Sequence, residues 1–362
     1  MPERGTPVQM SPLTKGVLRV VELFTSPLKP DDYLSLINPL WTTEELRGRI
    51  ERIHRETDDS STVFITPGFR WPGHRPGQYV RIGFDVAGKR HWRVYSLSTG
   101  VARSDGQISV TVKHKPDGVV SPYLNSIHAV GDLVTLGTVE GEFTLAADPG
   151  KLLFLTAGSG ITPIRAILQW LDRAGSMPDV VHVHSARRQP DQIFAAQLGE
   201  FAQRHASYQL SQRVTSEAGR LTPEQLDQVC PDWRERETYV CGPGEMLDAF
   251  QAHFEASQLE DQLHVESFEH IVLGKVTGAG GTVEFSASGV AAECDGQTPI
   301  LLAGEQAGLT LPFGCRMGIC HTCVGRLAAG TVRDLRTGEL TQAGTEVRTC
   351  VNCADGPITI EL

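Results

Sequence analysis

Three cysteines within the run Cys315-Arg-Met-Gly-Ile-Cys320-His-Thr-Cys323, and a fourth at Arg348-Thr-Cys350, constrain this chain more than any other feature. A C-x4-C-x2-C loop with a distant fourth cysteine is the thiolate spacing that holds a 2Fe-2S cluster, because a compact loop wraps three ligands around one side and a separate segment supplies the last. Gly314 and Gly318 let the loop backbone approach the cluster sulfurs, where amide N–H groups hydrogen-bond them and tune the potential. Cys353 follows Cys350 at CxxC spacing, and zinc prefers paired CxxC arms, so a zinc site is the competing reading. A first arm of three cysteines rather than two argues against it.

The flanks add a fold. Residues 282–286 and 290–293 alternate as a hairpin, and 299–308 reads as one amphipathic helix closed by a glycine just before the cysteine loop. The terminal Ile358-Thr-Ile-Glu-Leu362 completes a small mixed sheet. Residues 275–362 resemble a plant-type ferredoxin, a β-grasp domain, in which a helix precedes the cysteine loop and the fourth ligand lies near the C-terminus. The resemblance implies that Cys315, Cys320, Cys323 and Cys350 are the ligands, with Cys353 a bystander.

That domain accounts for the last quarter of 362 residues, and the remainder has room for further domains. A net charge of −10, with no Lys/Arg block, argues against nucleic acid as a partner. No apolar run is long enough for a transmembrane helix, and no basic stretch followed by an apolar one marks a signal peptide. A cytoplasmic location is expected, where eight cysteines stay reduced; Cys230, Cys241 and Cys294 are then free thiols.

Residues 1–45 form an N-terminal extension with helical apolar spacing around Leu18–Phe24 and a second short helix at 31–38, ended by Pro39. From 46 to 148, six short runs (49–55, 61–66, 78–84, 92–97, 107–113 and 133–137) punctuated by Gly and Pro predict an antiparallel barrel. From 149 to 270, strands (152–156, 180–184, 238–241) alternate with helices (162–171, 192–205, 245–255), predicting a parallel sheet covered by helices. The fold class is therefore multidomain, α+β and α/β.

The barrel carries Arg93-Val-Tyr-Ser-Leu-Ser98. An arginine supplies a fixed fork of donors for a phosphate, and a nearby Tyr and Ser can hydrogen-bond further along one extended ligand. The next domain opens with Leu153-Phe-Leu-Thr-Ala-Gly-Ser-Gly-Ile-Thr-Pro163, a strand, a Gly158-x-Gly160 turn and a helix, which presents backbone N–H groups to a pyrophosphate. Pro163 stands where the ordinary dinucleotide fingerprint has its third glycine.

Arg-x-Tyr-Ser, Gly-x-Gly-x-x-Pro and Tyr239-Val-Cys-Gly-Pro-Gly-Glu-Met246, in this order, resemble the ferredoxin-NADP⁺ reductase superfamily over residues 46–269. The resemblance implies an FAD-binding barrel in which Arg93 binds the flavin pyrophosphate, Tyr95 the ribityl side and Ser96 the region of the flavin N5. Gly118 and Ser121 match a second phosphate-binding loop, which favours FAD over FMN. In the nucleotide domain it places Gly158, Gly160 and Thr162 at the dinucleotide phosphates, and Cys241, with Gly242 in the same turn, beside the nicotinamide, shaping the hydride-transfer site. Ser185-Ala-Arg187-Arg188 follows the second strand, where an adenosine ribose is read; two arginines with no carboxylate in that run point to NADPH rather than NADH. His182 and His184 read as packing residues. The terminal strand His264-Val-Glu-Ser-Phe-Glu269 resembles the one that lies against the isoalloxazine, with Phe268 stacking and Glu266 or Glu269 relaying protons.

These modules imply an oxidoreductase passing electrons from NADPH through FAD and a 2Fe-2S cluster to a protein acceptor. Asp32-Tyr-Leu-Ser-Leu-Ile-Asn-Pro-Leu-Trp41 resembles the extension of bacterial reductases that serve membrane-bound fatty acyl desaturases, so a desaturase is the expected acceptor, with peripheral membrane association through that partner. A ring-hydroxylating or haem oxygenase, direct reduction of a small molecule such as a deoxysugar, and a zinc or redox-sensing module are the alternatives.

Overall fold

The computed structural model describes residues 30–43, 45–100, 105–116, 118–126, 129–146, 148–268, 278–313, 318 and 322–362. The chain divides into two compact units, the first of Met1–His91 and Tyr95–Glu266, the second of Ser267–Leu362 together with Trp92–Val94.

The first unit opens with α1 (Pro30–Ile37), one residue earlier than the sequence predicts, and then a six-stranded antiparallel sheet. Its strands are β1 (Arg47–Thr57), β2 (Ser60–Pro67), β3 (Tyr79–Val86), β4 (Lys89–Ser96), β5 (Ile108–Lys113) and β6 (Leu133–Glu140), in the order β4-β3-β6-β1-β2-β5. The two ends of that order meet through a bridge between Leu97 and Val110, so the sheet curls into a barrel. Alternating side chains of β2, β3 and β5, among them Val63, Ile65, Val80, Ile82, Ile108 and Val110, fill its interior. A short helix, α2 (Val120–Leu124), buries Val120 and Leu124 in the same core.

A five-stranded sheet follows, with β7 (Leu152–Ala157), β8 (Val180–Ala186), β9 (Tyr208–Val214), β10 (Glu237–Gly242) and β11 (Leu263–Ser267) in the order β11-β10-β7-β8-β9. The β10–β7, β7–β8 and β8–β9 pairs are parallel. The continuous apolar run of β7 is what a strand covered on both faces requires. Helices α3 (Ile161–Ala174), α4 (Ala195–Arg204) and α5 (Gly244–Ala256) alternate with the strands. Gly175, with φ of 64°, ends α3 in the left-handed conformation that lets its N–H cap the last turn. The predicted helix over 192–205 begins later, because Phe194 itself adopts φ of 61° and breaks the helical path.

In the second unit β12 (Gly281–Phe285) and β13 (Val290–Cys294) form the predicted hairpin, with Val283 opposite Ala292. Helix α6 (Ile300–Gln306) then lays Ile300, Leu301 and Ala303 into the core. Gly308, at φ of 87°, closes it as expected. Strands β14 (Val324–Ala329), β15 (Thr331–Asp334), β16 (Leu340–Gln342), β17 (Glu346–Arg348), β18 (Asn352–Ala354) and β19 (Ile358–Glu361) complete two sheets, ordered β13-β12-β19-β14-β17 and β16-β15-β18. No helix among the described residues is long and apolar enough to cross a membrane.

Candidate functional site

Strand β4 carries Arg93, Tyr95 and Ser96. Arg93 is half-buried, with Nη1 donating to the Trp92 carbonyl at 2.7 Å. The Tyr95 ring meets Phe84 edge to face, 6.2 Å between centroids. Ser96 is buried, and its hydroxyl donates to Glu266 Oε2 at 3.3 Å, although the two residues stand 170 positions apart. Glu266 sits near the end of β11, where burial pushes its carboxyl up to about 8 and the hydrogen bond from Ser96 only partly offsets this. A carboxyl in that range holds a proton at neutral pH and can give it up within the same site. Of the two carboxylates at the end of this strand, Glu266 is therefore the one brought to Ser96; Glu269 lies outside the described residues. Phe268 is half-buried just beyond β11.

Cys241, at the end of β10, is fully buried, and burial followed by the nearby Glu266 charge raises its thiol well above the ordinary range. Full burial and a raised thiol suit a space-filling role there. Gly160 explains how the Gly158–Gly160 turn reaches it: a Cβ there would overlap the Cys241 carbonyl oxygen and stand 2.9 Å from the Gly242 nitrogen. A tight turn over Gly158–Gly160, with Gly158 at φ of 55°, leads into α3, whose N-terminal N–H groups offer an anion site. Thr162 is buried in the first turn of that helix and donates to the Ser159 carbonyl at 3.0 Å. On the barrel, Ser121 is tied to Lys115, accepting from its N–H at 3.0 Å, and Gly118 leaves room for this hydroxyl because a Cβ would lie 2.8 Å from it.

At the carboxyl end of β8 the Ser185 hydroxyl is buried with no hydrogen-bond partner among the described residues. Arg187 is exposed. Arg188 is not free: Asp191 accepts from its Nη2 at 2.7 Å and its Nε at 3.0 Å. The run 185–188 itself holds no carboxylate, but a 3-10 turn over Gln189–Asp191 folds an acid from just beyond it back onto Arg188. His182 and His184 are fully buried, as packing residues should be. Thr156 Oγ1 bridges His182 Nε2 at 2.9 Å and His184 Nδ1 at 2.8 Å, and Tyr208 Oη lies 2.7 Å from His182 Nδ1.

In the second unit Thr349 joins the two arms of the cysteine set. Its N–H and hydroxyl both donate to the Cys323 carbonyl, at 3.0 and 2.8 Å, which sets the buried Cys323 close to the buried Cys350. The Gly318 N–H donates to Cys350 Sγ at 3.2 Å, the kind of amide–sulfur contact that a cluster thiolate accepts. At φ of 72°, with a Cβ 2.7 Å from Arg336 Nη1 and 2.8 Å from Val351, only glycine fits at 318. Arg348, which the sequence reading passed over, fastens the loop by donating to the Gly318 carbonyl at 2.6 Å; its place two residues before Cys350 is the only signal it carries. Cys315 and Cys320 lie outside the described residues. Cys353 is buried in β18 opposite Arg333, its thiol raised by burial. Cys230 and Cys294 are likewise buried thiols, pushed up to about 12 and about 11. The donor set and the amide aimed at Cys350 fit an iron–sulfur cluster.

Three family models match the chain in order: an oxidoreductase FAD-binding domain over residues 70–145, an oxidoreductase NAD-binding domain over 154–252 and a 2Fe-2S iron-sulfur cluster binding domain over 283–354. The chain is 45% identical over 348 residues to an NADPH oxidoreductase of Mycobacterium tuberculosis, covering 95% of this chain and 91% of that one. It is 29% identical to the stachydrine N-demethylase reductase subunit of Rhizobium meliloti, covering 88% and 96%. The solved structure of phthalate dioxygenase reductase superposes with a TM-score of 0.58 at 20% identity, covering 88% of this chain and 98% of that one, and so shares the fold. This chain belongs to the ferredoxin-NADP⁺ reductase family of oxidoreductases, in the branch that joins an FAD-binding and an NAD-binding domain to a C-terminal 2Fe-2S ferredoxin domain.

Proposed function

We propose that this protein is the reductase component of an oxygen-activating system, taking electrons from NADPH and delivering them to an iron enzyme, for which a fatty acyl desaturase is the acceptor we favour. When bound, the flavin converts the two-electron donation of a nicotinamide into the single electrons that a 2Fe-2S cluster accepts. The observation that carries this reading is the hydrogen bond from Ser96 on β4 to Glu266 on β11, with Cys241 near Glu266 and in backbone contact with Gly160 of the Gly158–Gly160 turn. Ser96 orients Glu266, Glu266 holds a proton near neutral pH, and buried, uncharged Cys241 keeps water from the same corner. Arg93 and the Gly118–Ser121 loop supply donors for the flavin phosphates, while Thr162, Ser185 and Arg187 hold the nucleotide. Cys315, Cys320, Cys323 and Cys350 hold the cluster.

The acceptor rests on the extension. Leu36 and Ile37 at the end of α1 are 82% and 74% exposed, and Trp41 is also exposed, an apolar edge suited to a partner in or on a membrane. Such a partner would keep the protein cytoplasmic and peripheral. Membranes containing an acyl desaturase should consume NADPH and form unsaturated chains only when this protein is added. A second reading, a soluble monooxygenase as acceptor, is favoured by relatives described as reductase subunits of glycine betaine monooxygenase and of stachydrine N-demethylase. Coupling to such an oxygenase and not to the desaturase would move the acceptor while leaving the reductase chemistry in place.

A further inference from the structure

Helix α3 does more than present its first turn. One helical turn in from that end, Arg165 is only 9% exposed. Its Nη1 donates to the Ser98 carbonyl at 2.6 Å, and its Nε donates to Gln197 Oε1 on α4 at 2.7 Å. The guanidinium lies 4.3 Å over the ring of Phe194, the residue held at φ of 61° in a conformation that a bulky side chain adopts only when its surroundings enforce it. The same face of α3 receives the chain just past Ser98. Gln169 Oε1 accepts from the Gly100 N–H at 3.1 Å, and a Cβ on Gly100 would overlap the Ala166 carbonyl oxygen and stand 2.7 Å from the Trp170 nitrogen.

Ser98 is two residues beyond Ser96 on the same continuous segment, and its hydroxyl is held on the barrel side by Ser109 at 3.0 Å and Thr111 at 3.1 Å. A buried guanidinium is a costly way to satisfy one carbonyl, and apolar residues would pack a helix against a strand more simply. Its rigid fork, however, reaches from α3 to both the Ser98 segment and the start of α4 at once. We propose that Arg165 is a positioning residue for the nicotinamide-to-flavin step, fixing the spacing between the phosphate turn at the start of α3 and the flavin strand at Ser96. This inference rests on the reading of those two places as the nucleotide and flavin half-sites. Arg165 acts through Ser98 and the start of α4. It acts by denying the two half-sites freedom to drift apart.

Arg165→Lys, which keeps the charge but loses the fork, and Gln169→Ala, a milder change at a half-buried position, test this in the holoprotein. Stopped-flow bleaching of the flavin at saturating NADPH should slow about tenfold or more in Arg165→Lys and about two- to threefold in Gln169→Ala, since sub-ångström drift of reacting groups costs rate steeply. Titration with NADP⁺ should give dissociation constants within about twofold of the unsubstituted protein, because the phosphate turn is untouched. Dithionite should still reduce both chromophores fully. Unchanged saturating rates in both variants, whatever the shift in melting temperature, would overturn the inference. So would a slower rate explained entirely by weaker NADP⁺ binding. Failure of the unsubstituted protein to bleach with NADPH is a distinct result, which removes the functional reading itself and this inference with it.

Discussion

The two ligand-bearing regions are assembled on opposite plans. In the second unit, among the described residues, contacts between the cysteine arms span 26 positions from Thr349 to Cys323 and 32 from Gly318 to Cys350. In the first, Ser96 and Glu266 are 170 positions apart and meet only when the barrel and the five-stranded sheet have both folded. A site of the first kind depends on the identity of its ligands. A site of the second kind depends on packing across the whole unit, so it is vulnerable to changes that touch no ligand. Most sensitive should be places where backbone meets backbone, such as Gly160 against Cys241.

The largest expected effect separates the two plans outright. Cys350→Ser should abolish or strongly alter the cluster absorbance while leaving NADPH-driven flavin bleaching intact, whereas Cys353→Ser should leave the cluster spectrum unchanged. The reverse pattern would move the fourth ligand by three residues. Next comes Glu266→Gln, which should slow flavin reduction by NADPH about a hundredfold or more, the range for a positioned proton-transfer group. In the unsubstituted protein that rate should fall as pH passes about 8, where Glu266 releases its proton. Stability has the same sign. A carboxyl raised in the folded state ionises earlier in the unfolded chain, so its contribution declines as pH climbs from the ordinary carboxylate range toward about 8 and is flat beyond. Urea midpoints of the apoprotein across that interval should fall, and less so in Glu266→Gln.

Smaller effects sharpen the nucleotide end. If Arg187 reads a 2′-phosphate as proposed, Arg187→Gln should raise the Michaelis constant for NADPH about tenfold and spare NADH. Arg188→Gln should change it only two- to threefold, roughly the worth of an exposed pair already engaged by Asp191. Equal effects would mean that Asp191 yields Arg188 to the phosphate. The smallest prediction concerns acid. His184, lowered to about 4 by burial, binds its proton more weakly folded than unfolded, so stability should drop as pH falls from about 6.5 through about 4, a slope that His184→Asn should flatten.

How far the sequence reveals the molecule follows the same division. The hairpin over 282–293 and the glycine that closes α6 are local patterns, and each appears as read. The six barrel strands and the alternation of β7, β8 and β10 with their helices are legible because turn residues and apolar runs punctuate them. Edge strand β9 goes unread: its half-exposed residues carry neither a clean alternation nor a continuous apolar run. The start of α4 is misjudged because nothing in Ile193-Phe194-Ala195 announces a left-handed phenylalanine. Asp191 and Arg165 are invisible for another reason. Their partners are chosen by a backward turn and by docking of a helix on a strand, which no window of sequence contains.

Anaerobic titration of the purified holoprotein with NADPH, followed by absorbance and by electron paramagnetic resonance, tests the central claim most directly. The account predicts bleaching of the flavin band together with the appearance of a reduced 2Fe-2S signal, and catalytic NADPH consumption once a protein acceptor is supplied. A preparation that lacks 2Fe-2S absorbance, or whose flavin bleaches with excess NADPH while the cluster stays oxidised, would contradict it.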